Sequence, residues 1–431
     1  MQTTTPKKFL FVSITGLISD IAWQVVKEGH EAKYFIADAE EKEVGDGFVP
    51  KVTDWEKEVD WADTIVFDDT LGHGVKAQEL RQRGKFVVGG TPYTDRLEDD
   101  RSFGQEELKN HGISILPYQQ FDNFDDGIAY VQQNPGKYVL KPCGGLKQLL
   151  FVGNEDDGGD VIRVLTAYKH AWRKEVKLYQ LQKRVVGGVE VAVGAFFDGQ
   201  KFIDPINVNF EHKKLFPGEL GVSTGEMGTS MFWSGPNKLF NSTLKKIEPA
   251  LQRERYVGYI DINCIVNGNG IYPLEFTCRF GYPTISIQYD GIMGSIGDFF
   301  HALARGEPYK LHTKKGFQVG ARIVVPPFPF DDKKTFDSFS RDAAIVFKRP
   351  VPEGVHIEDV KLVNGEWIVT GTSGVVLIVT GTGSTMKEAQ KQMYSRIGNI
   401  LISNMYYRTD IGDRWFEDSD KLHSWGYLRE S

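Results

Sequence analysis

Acidic, amide and basic side chains are interleaved with apolar ones in the segment YIDINCIVNGNGIYPLEFTCRFGYPT, residues 259–284. The pattern predicts two strands joined by an asparagine–glycine turn, which would place Asp261, Asn263 and Glu275 on related faces. Oxygen ligands on rigid strands suit Mg²⁺, with nucleotide phosphates completing its octahedral shell. Arg279 follows Glu275 by four residues and is placed to reach a phosphoryl group in transfer. The alternative is that the carboxylates face solvent at a sheet edge, as lone strand carboxylates usually do.

A second candidate phosphate site follows the strand-like run YVLKP, where Lys141 precedes Gly144, Gly145 and Lys147. Glycine lets backbone N–H groups approach phosphate oxygens, and lysine neutralises their charge, so this run suits ATP phosphates. Short phosphate motifs are often false, and a plain β-hairpin with a solvated lysine is the alternative.

A third candidate is the strand-like stretch QLQKR, which contains Gln182 and Lys183 and is followed by Glu190. Backbone groups of such a strand can recognise an adenine edge, and a nearby carboxylate can accept ribose hydroxyls. The alternative is a strand that carries an exposed glutamate.

Residues 211–233, EHKKLFPGELGVSTGEMGTSMFW, combine glycines, acids, two lysines and a histidine between a predicted strand and a predicted helix. We expect a long loop without regular structure, and such loops are commonly functional. The alternative is a disordered surface excursion. It fits poorly with Met227, Met231 and Trp233, which would need burial.

The elements that must position these residues begin with alternating strand and helix patterns. Helical spacing separates apolar, β-branched runs that predict strands at 8–14, 32–37, 64–69 and 85–90. Such alternation implies a parallel, doubly wound sheet, an α/β fold. Ligands bind beyond the carboxyl ends of the strands in such sheets. The loops Ser13–Asp20 and Asp68–Gly74 are therefore candidate substrate loops.

Mixed patterns follow in the rest of the chain. An amphipathic helix over 99–113 precedes a β-rich region with one helix near 237–255, and the prolines at 326–330 predict a domain boundary. Thr385 and Glu388 form a capping box that begins a helix. The apolar stripe of that helix consists of Ala389, Met393, Ile397 and Ile400.

Size and composition set further limits. A chain of 431 residues predicts several packed units, and a net charge of -7 argues against a broad nucleic-acid surface. The cysteines, Cys143, Cys264 and Cys278, show no C-x-x-C spacing and indicate a reducing compartment. The sequence shows neither a signal peptide nor an apolar run long enough to span a membrane. We expect a cytoplasmic protein that binds no membrane.

Motifs in the second half of the chain resemble the glycinamide ribonucleotide synthetase (phosphoribosylamine–glycine ligase) family. The capping-box helix is also similar to the family's pattern t-x-x-E-A-x-x-x-x-Y, through Thr385, Glu388, Ala389 and Tyr394. The other motifs that carry the resemblance, in chain order, are His212-Lys213, Glu219-Leu220-Gly221, Ser223-Thr224-Gly225-Glu226-Met227-Gly228, LEFTCRFGYP at 274–283 and YRTDIG at 407–412.

The resemblance implies an α+β ATP-grasp fold with an N-terminal parallel-sheet domain over 1–100. It implies an ATP-grasp domain over 101–325, with lobes of about 101–185 and 186–325, and a C-terminal α+β domain over 326–431. The implied activity is an ATP- and Mg²⁺-dependent ligase that joins an amino acid or other carboxylate to an amine through an acyl phosphate. Its small-molecule substrates would be the partners, and a homodimer is the default expectation because two-fold oligomers are common.

The resemblance also assigns site residues. The two lobes would clasp Mg-ATP, and the 211–228 loop would hold the carboxylate and the amine. The assignments are: catalytic, Arg279, Lys213 and Glu226; nucleotide, Lys141, Gly144, Gly145, Lys147, Gln182, Lys183 and Glu190; metal, Glu275, Thr277, Asn263 and Asp261; substrate, Gly16, Ser19, Asp20, His212, Thr224, Gly225, Met227 and Gly228.

Several positions depart from the family pattern. The family's G-x-G-G-R-E-H-A loop, which holds a sugar phosphate, is SITGLISD here at 13–20. Thr277 replaces the metal-binding Asn, Glu226 replaces a glycine, Gln182-Lys183 replaces a Glu pair, and the glycine loop over ATP is shorter. These changes predict retained ATP chemistry with a remodelled acceptor pocket. The alternative is a catalytically silent relative that acts as a nucleotide sensor or partner protein.

Overall fold

A computed structural model of the chain describes residues 5–143, 149–350 and 353–428. The described strands are β1 (Lys8–Ser13), β2 (Glu31–Ile36), β3 (Thr64–Phe67), β4 (Val87–Val88), β5 (Tyr118–Phe121), β6 (Tyr138–Pro142), β7 (Phe151–Val152), β8 (Tyr179–Lys183), β9 (Val189–Asp198), β10 (Ile206–Phe216), β11 (Leu220–Ser234), β12 (Val257–Asn267), β13 (Gly270–Thr277), β14 (Phe317–Val324), β15 (Ala344–Phe347), β16 (Val355–Ile357), β17 (Val360–Val363), β18 (Glu366–Val369), β19 (Val375–Gly383) and β20 (Ile400–Leu401).

The described helices are α1 (Ser19–Lys27), α2 (His73–Gln82), α3 (Pro92–Asp99), α4 (Arg101–Asn110), α5 (Phe124–Gln133), α6 (Gly159–Ala171), α7 (Lys238–Ser242), α8 (Leu244–Glu254), α9 (Thr284–Gly291), α10 (Ile296–Arg305), α11 (Lys333–Phe339), α12 (Met386–Ile397) and α13 (Trp415–Ser424). Within the described ranges, none of these helices has both the length and the apolar character that crossing a bilayer requires.

The N-terminal region forms a parallel sheet in the order β2-β1-β3-β4. Phe9, Leu10 and Phe11 of β1 are fully buried, as expected when helices cover both faces of a parallel strand. This arrangement confirms the predicted doubly wound sheet. The chain winds outward in one direction from β1 to β2 and in the other from β1 to β3, so the direction switches between β1 and β3.

The chain divides into two compact units. The larger contains Met1–Ile113, Glu190–Cys264 and Leu274–Ser431, and the smaller contains Ser114–Val189 and Ile265–Pro273. The smaller unit holds an antiparallel sheet in the order β5-β8-β6-β7, covered by α5 and α6. The predicted hairpin of residues 137–153 is present as β6 and β7, while Gly144, Gly145 and Lys147 at its tip lie outside the described residues.

An eight-stranded sheet in the order β13-β12-β9-β10-β11-β14-β19-β16 follows. Helix α9 contacts β11, β14 and β19. The sheet continues past residue 325, because β19 pairs with β14 along its whole length. The three-domain division at residues 100 and 325 stays a prediction.

The segment 211–233 was expected to be a loop, and this expectation is wrong. Most of it forms an antiparallel hairpin of β10 and β11, whose turn has Gly218 and Glu219 at positive φ of 72° and 59°. The hairpin is irregular, because His212 pairs with Gly228 whereas Lys214 pairs with Ser223. Residues 224–227 lie between these two pairs and therefore form a bulge in β11. The rest of the segment pairs regularly.

The C-terminal helix α12 agrees with most of what the sequence predicts for it. The capping box is present: the Glu388 N–H donates to Thr385 Oγ1 at 3.2 Å, and the Thr385 N–H donates to Glu388 Oε2 at 3.2 Å. Ala389, Met393 and Ile397 are buried as predicted. Ile400 is not part of this helix, since α12 ends at Ile397 and Ile400 lies in β20.

Candidate active site

One face of the large sheet carries a lysine surrounded by three carboxylates. The ammonium of Lys213 lies 3.1 Å from Glu190 Oε1, 3.2 Å from Glu211 Oε2 and 3.3 Å from Glu275 Oε1. The sheet order brings these strands together, because β13, β12, β9 and β10 lie side by side in that order. Glu211 and Lys213 are two residues apart on β10 and so point to the same side.

The charges of Lys213 and the three carboxylates shift one another's pKa values. Burial opposes the charge of Lys213, but Glu211, Glu190 and Glu275 raise its pKa well above the ordinary value. Burial raises the pKa of Glu211, and repulsion from Glu190 and Glu275 adds to the rise, which Lys213 partly offsets. The cluster therefore holds more negative charge than one lysine balances, and it favours a further cation.

The neighbouring strand β12 adds oxygen ligands. Asn263 Nδ2 donates to Glu211 Oε2 at 2.9 Å, and the Thr277 hydroxyl hydrogen-bonds to Asp261. Burial and then repulsion from Glu211 raise the pKa of Asp261 well above its ordinary value. Asp261 Oδ1 and Asn263 Oδ1 are buried and accept no hydrogen bond from any residue that the structure describes.

These residues fit Mg²⁺, which takes hard oxygen ligands in an octahedral shell. The donors are carboxylate and amide oxygens, and two of them are buried without a partner among the described residues. Among the residues that the structure describes, no group of three or more His, Cys, Asp or Glu side chains is arranged to hold a metal ion by itself. Phosphate oxygens of a nucleotide would therefore supply part of the shell, as is usual for magnesium bound with ATP.

Arg279 lies four residues after Glu275 and is fixed by two acids. Its Nε is 3.2 Å from Asp69 Oδ1 and 3.1 Å from Glu98 Oε1, and its Nη1 donates to the carbonyl of Phe280 at 2.8 Å. Burial opposes its charge, but Glu98 and Asp69 hold the pKa of Arg279 above its ordinary value. The guanidinium is thus permanently charged and held in one orientation beside the carboxylate-rich face.

The bulge of the hairpin brings Glu226 to the same region. Thr224 Oγ1 donates to the Lys213 carbonyl at 2.9 Å, which ties the bulge to β10. Glu226 is buried, and burial followed by repulsion from Glu211 raises its pKa well above the ordinary value, although Arg322 opposes the rise. Gly225 precedes it, and Met227 is fully buried behind it.

Gly228 closes the bulge where space is tightest. A Cβ built on it would lie 2.5 Å from the Gly320 carbonyl oxygen of β14, so only glycine allows this approach.

A network of hydrogen bonds joins the C-terminal motif to the hairpin. The fully buried guanidinium of Arg408 donates to Asp410 Oδ2 at 2.7 Å, to Glu219 Oε1 at 2.8 Å and to the Lys214 carbonyl at 2.8 Å. Burial alone would raise the pKa of Glu219, but hydrogen bonds from His212 and Arg408 lower it to about 2.

His212, expected to contact substrate, is fully buried in this network. Its Nε2 accepts the Gly412 N–H at 3.1 Å, so the ring proton belongs on Nδ1, which lies 3.5 Å from Glu219 Oε1. Burial lowers the pKa of His212, which keeps the ring neutral. The structure therefore brings His212 to the C-terminal motif.

The N-terminal loop lies at the carboxyl ends of β1 and β3. Ser13 Oγ donates to Asp68 Oδ2 and accepts the Gly16 N–H at 2.8 Å, and Ser19 is buried in the next turn. Asp20 faces the C-terminal region, where it accepts hydrogen bonds from His356 Nδ1 at 2.8 Å, from the Ile357 N–H at 3.2 Å and from Ser286 Oγ at 3.3 Å.

In the smaller unit, the predicted nucleotide residues lie on neighbouring strands. Lys141 Nζ on β6 donates to Gln182 Oε1 on β8 at 2.6 Å, and the ammonium of Lys183 lies 4.3 Å from the centroid of the Tyr138 ring. Glu190, predicted to bind ribose, pairs with Lys213 at 3.1 Å in the larger unit.

Sequence reasoning missed three acids of this site, Glu211, Asp69 and Glu98. Glu211 directly precedes the His212-Lys213 pair, and its period-two spacing with Lys213 was a usable signal. Asp69 belongs to a loop that the strand pattern had already marked as ligand-binding. Glu98 had no signal, because its role depends on its 3.1 Å contact with a residue 181 positions away in the chain.

A carboxylate-rich antiparallel sheet that follows a doubly wound parallel domain places the protein in the class of ATP-grasp ligases. Residues 99–285 match the ATP-grasp (A) domain of phosphoribosylglycinamide synthetase, and residues 346–414 match its C domain. Together the two matches cover more than half of the chain. The chain is therefore a divergent member of the phosphoribosylglycinamide synthetase-like ATP-grasp family, within the ligases that form C–N bonds.

Individual relatives agree with this family. Phosphoribosylamine–glycine ligase of Streptococcus pneumoniae is 24% identical over 430 residues, which cover 94% of this chain and 99% of that protein. The crystal structure of phosphoribosylamine–glycine ligase from Thermotoga maritima superposes with a TM-score of 0.69 at 20% identity, covering 94% of this chain and all of that one. Biotin carboxylase from Campylobacter jejuni gives 0.64 at 13% identity, with 97% of each chain covered. The structural likenesses show a shared fold.

Proposed function

We propose that this ligase joins a carboxylate, such as an amino acid, to an amine through an acyl phosphate, with release of ADP and phosphate. The observation that carries the proposal is the cluster of Lys213 with Glu190, Glu211 and Glu275. Arg279, which two acids hold in place, follows Glu275 by four residues. Family membership supports the reaction class. The buried and repelling carboxylates support a site for a cation and a polyanionic substrate.

The cofactor would be Mg²⁺, held by oxygens of Glu275, Asp261 and Asn263, with Thr277 in support. Bound there, the ion would offset negative charge on the phosphates of ATP. Lys141 would contact phosphate, and Gln182 and Lys183 would lie by the adenine. The Gly144, Gly145 and Lys147 turn would cover the phosphates. Glu190 would accept ribose hydroxyls, in exchange for its present contact with Lys213.

The protein groups would act mainly by position and charge. In the first step a carboxylate oxygen of the substrate attacks the γ-phosphorus, and the bond to the ADP oxygen breaks. Arg279 and Lys213 would stabilise the charge on the migrating phosphoryl group. In the second step the amine nitrogen attacks the acyl carbon, phosphate leaves with the electrons of the carbon–oxygen bond, and the nitrogen loses its extra proton.

Two features support an amine acceptor different from a sugar phosphate. The loop at 13–20 lacks two of the family's glycines and its Arg-Glu-His run, and Ser13 binds Asp68 there. Glu226 stands where the family has a glycine in the bulge that would contact the substrates with Thr224, Gly225, Met227 and Gly228. An added carboxyl group in that bulge changes both its charge and its space.

An ADP-release assay with a panel of amino acids and amines tests the proposal. Glu275→Ala should abolish turnover and weaken Mg-ATP binding. Its side chain is half exposed, so the change should not disturb folding. Glu366→Ala, at an exposed glutamate of β18, is the matched control and should keep full activity. Tight ATP binding without turnover for any amine would favour the silent alternative, a nucleotide sensor.

A further inference from the structure

The switch between β1 and β3 marks the place where an α/β sheet binds its ligand. In this chain the two strands end at Ser13 and Phe67, and the first group beyond β3 is Asp68. Asp68 is only 1% exposed. Its Oδ2 accepts the Ser13 hydroxyl, whereas its Oδ1 accepts no hydrogen bond from any described residue. A buried carboxyl oxygen without a donor, at the ligand-binding end of the sheet, points to a ligand that donates.

The arginines around this point are already matched by acids. Arg279 lies 5.9 Å from the ring centroid of Tyr282, whose hydroxyl donates to the Asp68 carbonyl at 3.2 Å. That guanidinium is flanked by Asp69 and Glu98.

Arg322 donates to the Tyr282 carbonyl at 2.9 Å. It is paired with the buried Glu358 at 3.3 Å. His73 Nδ1 is 3.9 Å from Asp68 Oδ1, and burial lowers the pKa of this histidine, which keeps it neutral. Arg322 is thus paired with Glu358, and Arg279 is shared between two acids and, in the proposed reaction, the phosphoryl group of ATP, so neither is left to balance a phosphate on the acceptor.

The helix N-terminus beside the loop is also occupied by an acid. Helix α1 begins at Ser19, and the positive end of such a helix is a common phosphate site. Here Asp20 stands in the first turn, with its carboxylate fixed by His356 and the Ile357 N–H. A phosphate at this end would meet a fixed negative charge.

We propose that the acceptor of this ligase is an amine that is a cation in solution and carries no phosphate, and that its ammonium group binds against Asp68 and Asp69 at the β1–β3 switch point. Before the second step the Asp68 carboxylate accepts one ammonium proton, which leaves the neutral amine that attacks the acyl carbon. This inference rests on the proposed ligase function and narrows its substrate class. Arg279 links the proposed acceptor site to the proposed magnesium site. It contacts Asp69 of the first, and it follows β13, which carries Glu275 of the second.

The binding should depend on pH. Burial raises the pKa of Asp68 to about 8, so near neutral pH its carboxyl group carries a proton that an arriving cation displaces. Binding should therefore strengthen from about pH 6 to about pH 8. The ionisable or polar groups that face Asp68 are Ser13 from β1, Tyr34 from β2, His73 from α2, and Asp69, Arg279 and Tyr282 from the adjoining loops.

A matched pair of probes tests the proposal on the full chain. Ethanolamine and O-phosphoethanolamine carry the same amine, and only the second carries phosphate. Calorimetry should show ethanolamine binding more tightly by about tenfold or more, because the phosphate of the second probe would lie beside the like charges of Asp68 and Asp69. Asp68→Asn and Asp69→Asn should each remove that preference. Asp60→Asn, at a largely exposed aspartate in the turn before β3, should keep it.

The two proposals fail separately. Equal or tighter binding of O-phosphoethanolamine, or a preference unchanged in both Asp68→Asn and Asp69→Asn, overturns the cationic acceptor even where ADP release proceeds. Should Asp68→Asn not fold, Asp69→Asn decides alone, since its partly exposed side chain tolerates the change. An ethanolamine preference that requires Asp69, without Glu275-dependent ADP release for any amine, supports the acidic pocket and refutes the ligase reaction.

Discussion

Removing the Lys213 charge should destabilise the protein and make its stability depend on magnesium. A Coulomb estimate for each of the three contacts, at about 3 Å and an effective dielectric constant of about 20, gives roughly 5 kcal/mol. Glu190 and Glu275 are 32% and 50% exposed, so solvent screens their pairs to about 1 kcal/mol or less. Glu211 is only 14% exposed, and breaking its pair should cost about 3 kcal/mol. For Lys213→Met we therefore expect a loss of about 3 kcal/mol.

Thermal unfolding with and without Mg²⁺ and ADP measures this effect. The readout is the shift in Tm, because a chain with two compact units need not unfold in one two-state step. Mg²⁺ bound among the carboxylates would replace the lost charge, so it should raise the Tm of Lys213→Met more than that of the wild type. Lys214→Met changes the next residue of the same strand and is the matched control. Equal increases in Tm on adding magnesium to wild type and to Lys213→Met would refute the idea that Lys213 and Mg²⁺ balance the same carboxylates.

Three further results are expected. Arg408→Lys keeps the charge but loses the fork that reaches Asp410 and Glu219, so thermal unfolding should show a loss of about 2–3 kcal/mol. The pKa of Asp68 is raised in the folded protein, so its contribution to stability falls as pH rises from about 4 to about 8, and Asp68→Asn should flatten that slope in pH-dependent unfolding. Thr277→Asn supplies an amide oxygen, and ADP release should then need less Mg²⁺.

Local patterns predicted the elements well. The parallel strands, the hairpin of β12 and β13 and the capping box depend on neighbours in sequence, and each is present. The helix near 237–255 divides at Thr243 into α7 and α8, a break that apolar spacing does not reveal. The hairpin of β10 and β11 was missed because its glycines resemble a loop. Its pairing with β9 and β14 fixes it as strand, and this is tertiary information.

The site was predictable in part. Asp261, Asn263 and Glu275 could be grouped because one hairpin carries all three. The groups that balance their charge could not be found in the same way. Glu98 and Asp69 reach Arg279 from separate elements of the first hundred or so residues. Periodicity states which face a residue occupies but not which distant side chain meets it.

The C-terminal motif at 407–412 makes such distant contacts with the hairpin that carries Lys213. Arg408 binds the Lys214 carbonyl, Gly218 donates to Asp410 at 2.9 Å, and Gly412 donates to His212, so the motif holds the hairpin on both sides of Lys213. The backbone that carries the lysine is thereby fixed from the opposite end of the chain. Lys213 and the motif that positions its backbone are about 200 residues apart in sequence, and without these contacts the lysine would have many more conformations available.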